Sequence, residues 1–269
     1  YAGSLLAIPG ILLLVTNHAY TDMFMFVVGP ISLVWFAIGM RGCTREQVNK
    51  LIVALVLITF SIFFWALFEQ AGGSLAQVAR NHLPTESLAG ITITPNSVKN
   101  ISNSLFVILL SPLLGLFWLR LGSKEPGMVV KFAFGFFFVA AGFFVFAQLG
   151  SFAGPNGVSS LTIFSLAWLL ATIGELCLSP IGLSAMTKLA PQRMFGIIMG
   201  LWFLASAYGQ YFAGILGAGM TKAKDTATPT ERLAAFCGGY NQLAIYAVIL
   251  GVALLALSPM LKKLAKGSA

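Results

Sequence analysis

Two carboxylates occupy positions where charge is rare. Glu175 is the only charged residue between Lys131 and Lys188, at the centre of the run LTIFSLAWLLATIGELCLSPIGLSAMTKLAP (Leu161 to Pro191), and Glu69 closes the apolar run that ends in Phe68. At 1.5 Å per helical residue, Glu175 lies roughly 20 Å from Lys188 and about as far from Leu161, near the middle of a hydrocarbon layer about 30 Å thick. An ionised acid there costs about 3 kcal/mol or more unless it faces a polar cavity or a cation, so by default it marks a pathway. The competing reading is an acid kept protonated and inert, or one ion-paired for packing. Glu69 is roughly 28 Å along a helix from Lys50, near a membrane boundary where an acid is unremarkable. No Lys or Arg lies deep in an apolar run, so a cationic partner for either acid is expected from a ligand or from protein outside this chain.

Other polar and aromatic residues have the right placement to join them. Asn103, between Ser102 and Ser104, can donate and accept towards a polar ligand, or bond a neighbouring helix for about 0.6 kcal/mol. Ser179 lies one turn beyond Glu175 on the same helix face. Gly174 and Pro180 bracket the acid and weaken the helix there, which suits a cavity wall that bends. Trp65, one turn before Glu69, and Trp202 suit cavity walls, although belt and packing roles are commoner for tryptophan. His18 and His82 occur singly in links and are expected to be solvated. Cys43, Cys177 and Cys237 are odd in number and lack metal-type spacing, so neither a disulfide framework nor a zinc site is expected. There is no GxSxG, Walker loop, HExxH or Gly-rich dinucleotide turn, no acid pair at comparable depth and no Ser/His dyad. The expectation is a non-enzyme without metal or cofactor.

The elements that carry these residues are membrane helices. A chain that is 58% hydrophobic and 9% charged, with positive mean hydropathy, reads as an integral helical membrane protein. Apolar runs of about 20 residues exclude an outer-membrane barrel, whose strands alternate over about 10. The net charge of +8 is spread over short links instead of forming a patch, so no nucleic-acid partner is expected. The chain starts at Tyr1 with no signal-peptide pattern and reads as a piece of a longer protein.

Eight apolar segments are expected: Ser4 to Val15, Met23 to Met40, Val48 to Phe68 with a helical continuation towards Arg80, Thr94 to Trp118, Met128 to Gln148, Ser159 to Thr187, Met194 to Gly219 and Gly238 to Met260. Asn81 to Asn96 reads as a loop ending in an N-cap, Thr94, followed by Pro95 at the first helical position; Pro112 is expected to kink its helix. Small residues four apart in the seventh segment, Gly196 and Gly200, then Ala205, Gly209 and Ala213, suit close helix packing. One side collects Arg41, Arg45, Lys50, Arg120, Lys124, Lys131, Lys188, Arg193, Lys262, Lys263 and Lys266, the other Arg80, Lys99, Lys222, Lys224 and Arg232. By the positive-inside rule the first side, with both ends of the last six segments, is expected in the cytoplasm.

Three stretches, FFWALFEQAGG (Phe63 to Gly73), GELCLSPIGLSAMTKLAP (Gly174 to Pro191) and GLWFLASAYGQYFAG (Gly200 to Gly214), resemble the C-terminal half of bacterial proton-coupled oligopeptide transporters, a branch of the major facilitator superfamily. SNSLFVILLSPLLGLFW (Ser102 to Trp118) agrees in spacing, and the resemblance covers nearly all of Val48 to Met260. It implies an all-α integral membrane fold: residues 1–40 as an inter-bundle helical hairpin and 41–269 as a six-helix bundle that pairs with an N-terminal six-helix bundle of the same protein. It further implies import of di- and tripeptides with protons by alternating access across the cell inner (plasma) membrane. In that reading Glu175 receives the peptide amino terminus and takes part in proton coupling, and Glu69 serves proton coupling and the outer gate. Asn103, Ser179, Trp65 and Trp202 match pocket positions. The family's Asn-Pro pair is Asn103-Ser104 here. A facilitator of the same fold for another solute, such as nitrate or a peptide-like metabolite, and a non-transporting membrane scaffold are the alternatives.

Overall fold

The computed structural model describes residues 2–88, 91–220 and 227–266. Among them the chain forms nine α-helices: α1 (Ala2–Thr16), α2 (His18–Met40), α3 (Arg45–Phe68), α4 (Ser74–His82), α5 (Pro95–Leu121), α6 (Met128–Ala147), α7 (Leu161–Leu189), α8 (Phe195–Met220) and α9 (Pro229–Lys266). The eight longer ones are the eight expected segments, and the architecture is the helical membrane type expected from composition. Lys222 and Lys224, used above for orientation, lie outside the described residues, as do Tyr1 and residues 267–269.

Several elements differ from expectation. The third segment does not continue unbroken: a 3₁₀ turn over Glu69–Ala71 and the pair Gly72-Gly73 separate α3 from the short α4. Each glycine costs a helix about 1 kcal/mol, so the break falls where two occur together. The expected loop before α5 contains an antiparallel ribbon, β1 (Glu86–Leu88) and β2 (Ile91–Ile93). The N-cap is as expected: the Thr94 side chain accepts from the Ser97 amide at 3.2 Å, with Pro95 opening the helix. The α-helix runs on through Pro112 in α5 and Pro180 in α7. At 38 residues, α9 is about 57 Å long, well beyond a bilayer core. Among the described residues six helical stretches are long and apolar enough to cross a membrane; α1, with 15 residues, and α8, which carries Tyr208, Gln210 and Tyr211, are not among them.

Inside a bilayer, lipid is as apolar as leucine, so helices associate through close packing at small residues. A Cβ on Gly174 of α7 would stand 2.7 Å from the Gly135 carbonyl of α6, and one on Gly142 would stand 2.9 Å from the Ala167 carbonyl. These glycines bring α6 and α7 backbone to backbone. The α3–α8 seam uses Gly209, whose Cβ would meet the Trp65 Cβ at 2.2 Å. Ala205, Gly209 and Ala213 are all buried on that seam, whereas Gly196 and Gly200 have no atom within 4 Å of a Cβ position. The expected small-residue row therefore packs over its second half only. Behind α3 and α7, Phe64, Phe136, Phe146, Phe164, Trp168 and Tyr240 fill the core.

The second helix attaches along α8 and the turn before it. The Tyr208 hydroxyl donates to the Met25 carbonyl, the Tyr211 hydroxyl to Asp22 Oδ1 at 2.7 Å, and Arg193 Nη2 to the Gly39 carbonyl at 3.0 Å. Gly174→Ala is expected to force α6 and α7 apart and cost about 1–3 kcal/mol of stability. In detergent its melting temperature should fall, while Gly200→Ala, which meets nothing, leaves it unchanged.

Candidate functional site

Glu175 is the central residue of α7, and the glycine and alanine face that packs on α6 leaves its carboxyl turned towards α5. Oε2 of Glu175 is buried with no hydrogen-bond partner, and so is Oδ1 of Asn103. The Asn103 side chain on α5 and the Glu69 carboxyl both lie within electrostatic reach of Glu175. Glu175 on α7 is thus within reach of an amide from α5 and of a second carboxyl from the turn that ends α3, inside an otherwise apolar bundle. The ion pairs among the described residues are Lys50–Glu46 and Lys131–Glu125, and neither involves these acids.

Glu69 sits on the 3₁₀ turn that ends α3, half-buried, and accepts from Gln210 Nε2 of α8 at 3.5 Å. The adjacent Gln70 is wholly buried. Its Nε2 donates to the Ala213 carbonyl at 3.0 Å and its Oε1 accepts from the Ser74 hydroxyl at 2.8 Å. An unsatisfied buried amide is costly, so this bonding locks the helix break against α8 and sets the direction in which Glu69 leaves the chain. Gln70 and Gln210 were both within the quoted motifs. The signal that could have found them is an amide in an otherwise apolar run.

The remaining candidates are placed differently from one another. Ser179 is half-buried one turn from Glu175. Trp65 stands edge-on to Phe64 and Phe68, each at 5.7 Å between ring centroids, on the α3–α8 seam. Trp202 is 5% exposed and packs over Gly182, where a Cβ would meet its ring at 2.1 Å, and against Phe132 at 6.3 Å. Glu69, Glu175 and Asn103 are brought together, while Trp202 is enclosed between α6, α7 and α8.

One polar residue contradicts its sequence reading, and a second is more enclosed than the other basic residues of its side. His82, expected to be solvated, is 2% exposed; its Nδ1 bonds the Gly157 carbonyl at 3.0 Å, and its ring meets Phe236 edge-on at 6.2 Å. The cause is the loop before α7, which folds back over the end of α4 through the Ser159 amide and the His82 carbonyl, 2.7 Å apart. Lys131, counted above among the basic residues of the cytoplasmic side, is 7% exposed; it pairs with Glu125 and leaves Glu175 without a cation. Cys43, Cys177 and Cys237 are free thiols. Among the described residues no group of His, Cys, Asp and Glu is arranged to hold a metal.

The family model for the POT family, PTR2, matches residues 7–233. The chain belongs to the POT family. Among curated proteins, this POT family chain is 41% identical to the peptide transporter YePEPT of Yersinia enterocolitica over 179 residues, 65% of this chain and 34% of that protein. It is 33% identical to dipeptide and tripeptide permease A of Chromobacterium violaceum over 226 residues, 84% of this chain and 44% of the relative. Among solved structures, the peptide transporter POT in complex with sulfate superposes with a TM-score of 0.76 at 30% identity, covering 99% of this chain and 53% of that one. The chain thus spans about half the length, or less, of these relatives.

Proposed function

We propose that the protein containing this chain is a symporter that imports di- and tripeptides with protons by alternating access. Residues 41–269 form the C-terminal bundle and residues 1–40 the inter-bundle hairpin, in the cell inner membrane, with the Lys- and Arg-rich ends of the six-helix block in the cytoplasm. The observation that carries this reading is the Glu175 carboxyl: at mid-membrane depth, with a buried oxygen that has no partner and no ion pair among the described residues. Such a group suits a cation that arrives with the substrate. A peptide ammonium forms a charge-assisted hydrogen bond to it, and Asn103 orients the carboxyl or accepts from the next peptide group. Ser179 and Trp65 border the same region, and Trp202 supports it from behind. An N-terminal six-helix bundle of the same protein, across from α5, α7 and α8, receives the rest of the peptide.

Glu69 is the coupling acid. Protonation from outside neutralises it, weakens its bond with Gln210, and lets the bundle rock with proton and peptide bound. Sites at the midplane facing the seam between repeats are where such rocking changes exposure. The printed names of the relatives, a peptide transporter and a dipeptide and tripeptide permease, support the substrate class. The test is proton flux in liposomes carrying the full-length protein. A dipeptide should drive proton entry, and its N-acetylated form, lacking the ammonium, should compete at least tenfold less well. Equal competition by both forms, or proton flux driven by nitrate and not by dipeptide, would remove the proposal.

A further inference from the structure

A cavity of about 600 Å³ lies between the C-terminal parts of α5 and α7 and the start of α6, and is lined by neither Glu69 nor Glu175; its volume is within the range of roughly 300–1,000 Å³ typical of ligand pockets. Trp118, Glu125, Lys131, Leu176, Ile181 and Lys188 are among the residues that line it. Lys131 is 7% exposed in the first turn of α6. A buried ammonium requires compensation, which Glu125 and the Trp118 ring, 4.5 Å from Nζ, together supply. That arrangement fixes one positive charge at the wall. Lys188 is exposed at the same mouth and takes part in neither of the ion pairs found among the described residues. Two ammonium groups against one carboxylate leave the cavity with one surplus positive charge.

We propose that this cavity holds the phosphodiester headgroup of an anionic phospholipid from the leaflet at the Lys- and Arg-rich end of the bundle. The surplus charge matches one phosphodiester, and Ser111 and Ser184 at the wall can donate to its oxygens or to glycerol hydroxyls. Leu176 and Ile181 give the cavity an apolar side that accepts the first methylenes of acyl chains and has no use for a free inorganic anion. Pro180, without an N–H, leaves the Leu176 carbonyl without its usual helical donor, an acceptor at the cavity wall for a headgroup hydroxyl. Arg120, in the last turn of α5, and Lys124, in the turn that follows, add to the attraction of an anionic surface. Neither Glu175 nor Asn103 lines the cavity.

Native mass spectrometry of the full-length protein, titrated with phosphatidylglycerol and with phosphatidylcholine, tests the assignment. Two variants are informative: Lys188→Gln, which removes the surplus charge, and Gly115→Phe, which fills the cavity from a wall position with no atom within 4 Å of a Cβ. Phosphatidylglycerol should be retained in preference to phosphatidylcholine, and each variant should weaken it about fivefold, equivalent to about 1 kcal/mol, with lipid-free melting temperature unchanged. Equal retention of the two lipids, or wild-type retention of phosphatidylglycerol by both variants, would overturn the proposal. So would stabilisation by inorganic phosphate that matches that by the lipid.

Discussion

Full-length protein carrying Glu175→Gln is expected to bind a free dipeptide roughly 10- to 100-fold more weakly than wild type, and to bind the N-acetylated dipeptide about as well as wild type does. The substitution keeps the shape of the side chain and its capacity to hydrogen-bond, but removes the charge. A hydrogen bond between charged groups contributes about 1.5–3 kcal/mol, and each 1.4 kcal/mol is a factor of ten. The loss should therefore appear only with a ligand that carries the ammonium. Calorimetric titration of the four combinations of protein and peptide measures the coupling directly. Equal losses for both peptides would mean that the substitution merely disturbed the helix, and no loss for either would remove Glu175 from the site.

Glu69→Gln should have the second large effect, on coupling instead of binding. One charge moving through 100 mV supplies about 2.3 kcal/mol, enough to concentrate a zwitterionic peptide roughly fifty-fold. With the protonatable group replaced by an amide, energised vesicles should only equilibrate the peptide, while exchange of labelled for unlabelled peptide with no gradient continues near the wild-type rate. The geometry supports this separation. Glu69 lies on the helix break with a single neutral partner, Gln210, and the break itself is held by Gln70 through the Ala213 carbonyl. Removing the charge at position 69 leaves the Gln70 contacts intact, so the bundle should remain assembled. Wild-type accumulation by the variant would place coupling elsewhere.

The two acids were legible because each is a rare charge in an apolar run, a signal that survives without any knowledge of contacts. Their meeting was not. Asn103 and Glu175 are 72 positions apart in the sequence, and nothing in local spacing says that α5 lies against α7 at that height. Gln210 beside Glu69, His82 beneath the loop before α7, and Lys131 against Trp118 were likewise invisible. Each depends on a partner from another helix or from beyond a turn. The glycines show the same limit. A row of small residues marks a surface able to pack, and Gly209 packs on Trp65 while Gly196 and Gly200, on the same helix, meet nothing.

The sequence alone determined that the chain is helical and where its long helices run. Lipid offers backbone groups no hydrogen-bond partners, so a run of about 20 apolar residues must satisfy them internally as a helix. It also determined where charge is scarce, and hence which residues are worth asking about. Only the tertiary structure decided which face of each helix is covered. A helix that is apolar all round carries little periodic signal to say which side meets protein and which meets lipid. That choice is made by shape, where a missing Cβ lets two backbones touch, and it leaves Glu175 half-buried near Asn103 with one buried, unpaired oxygen.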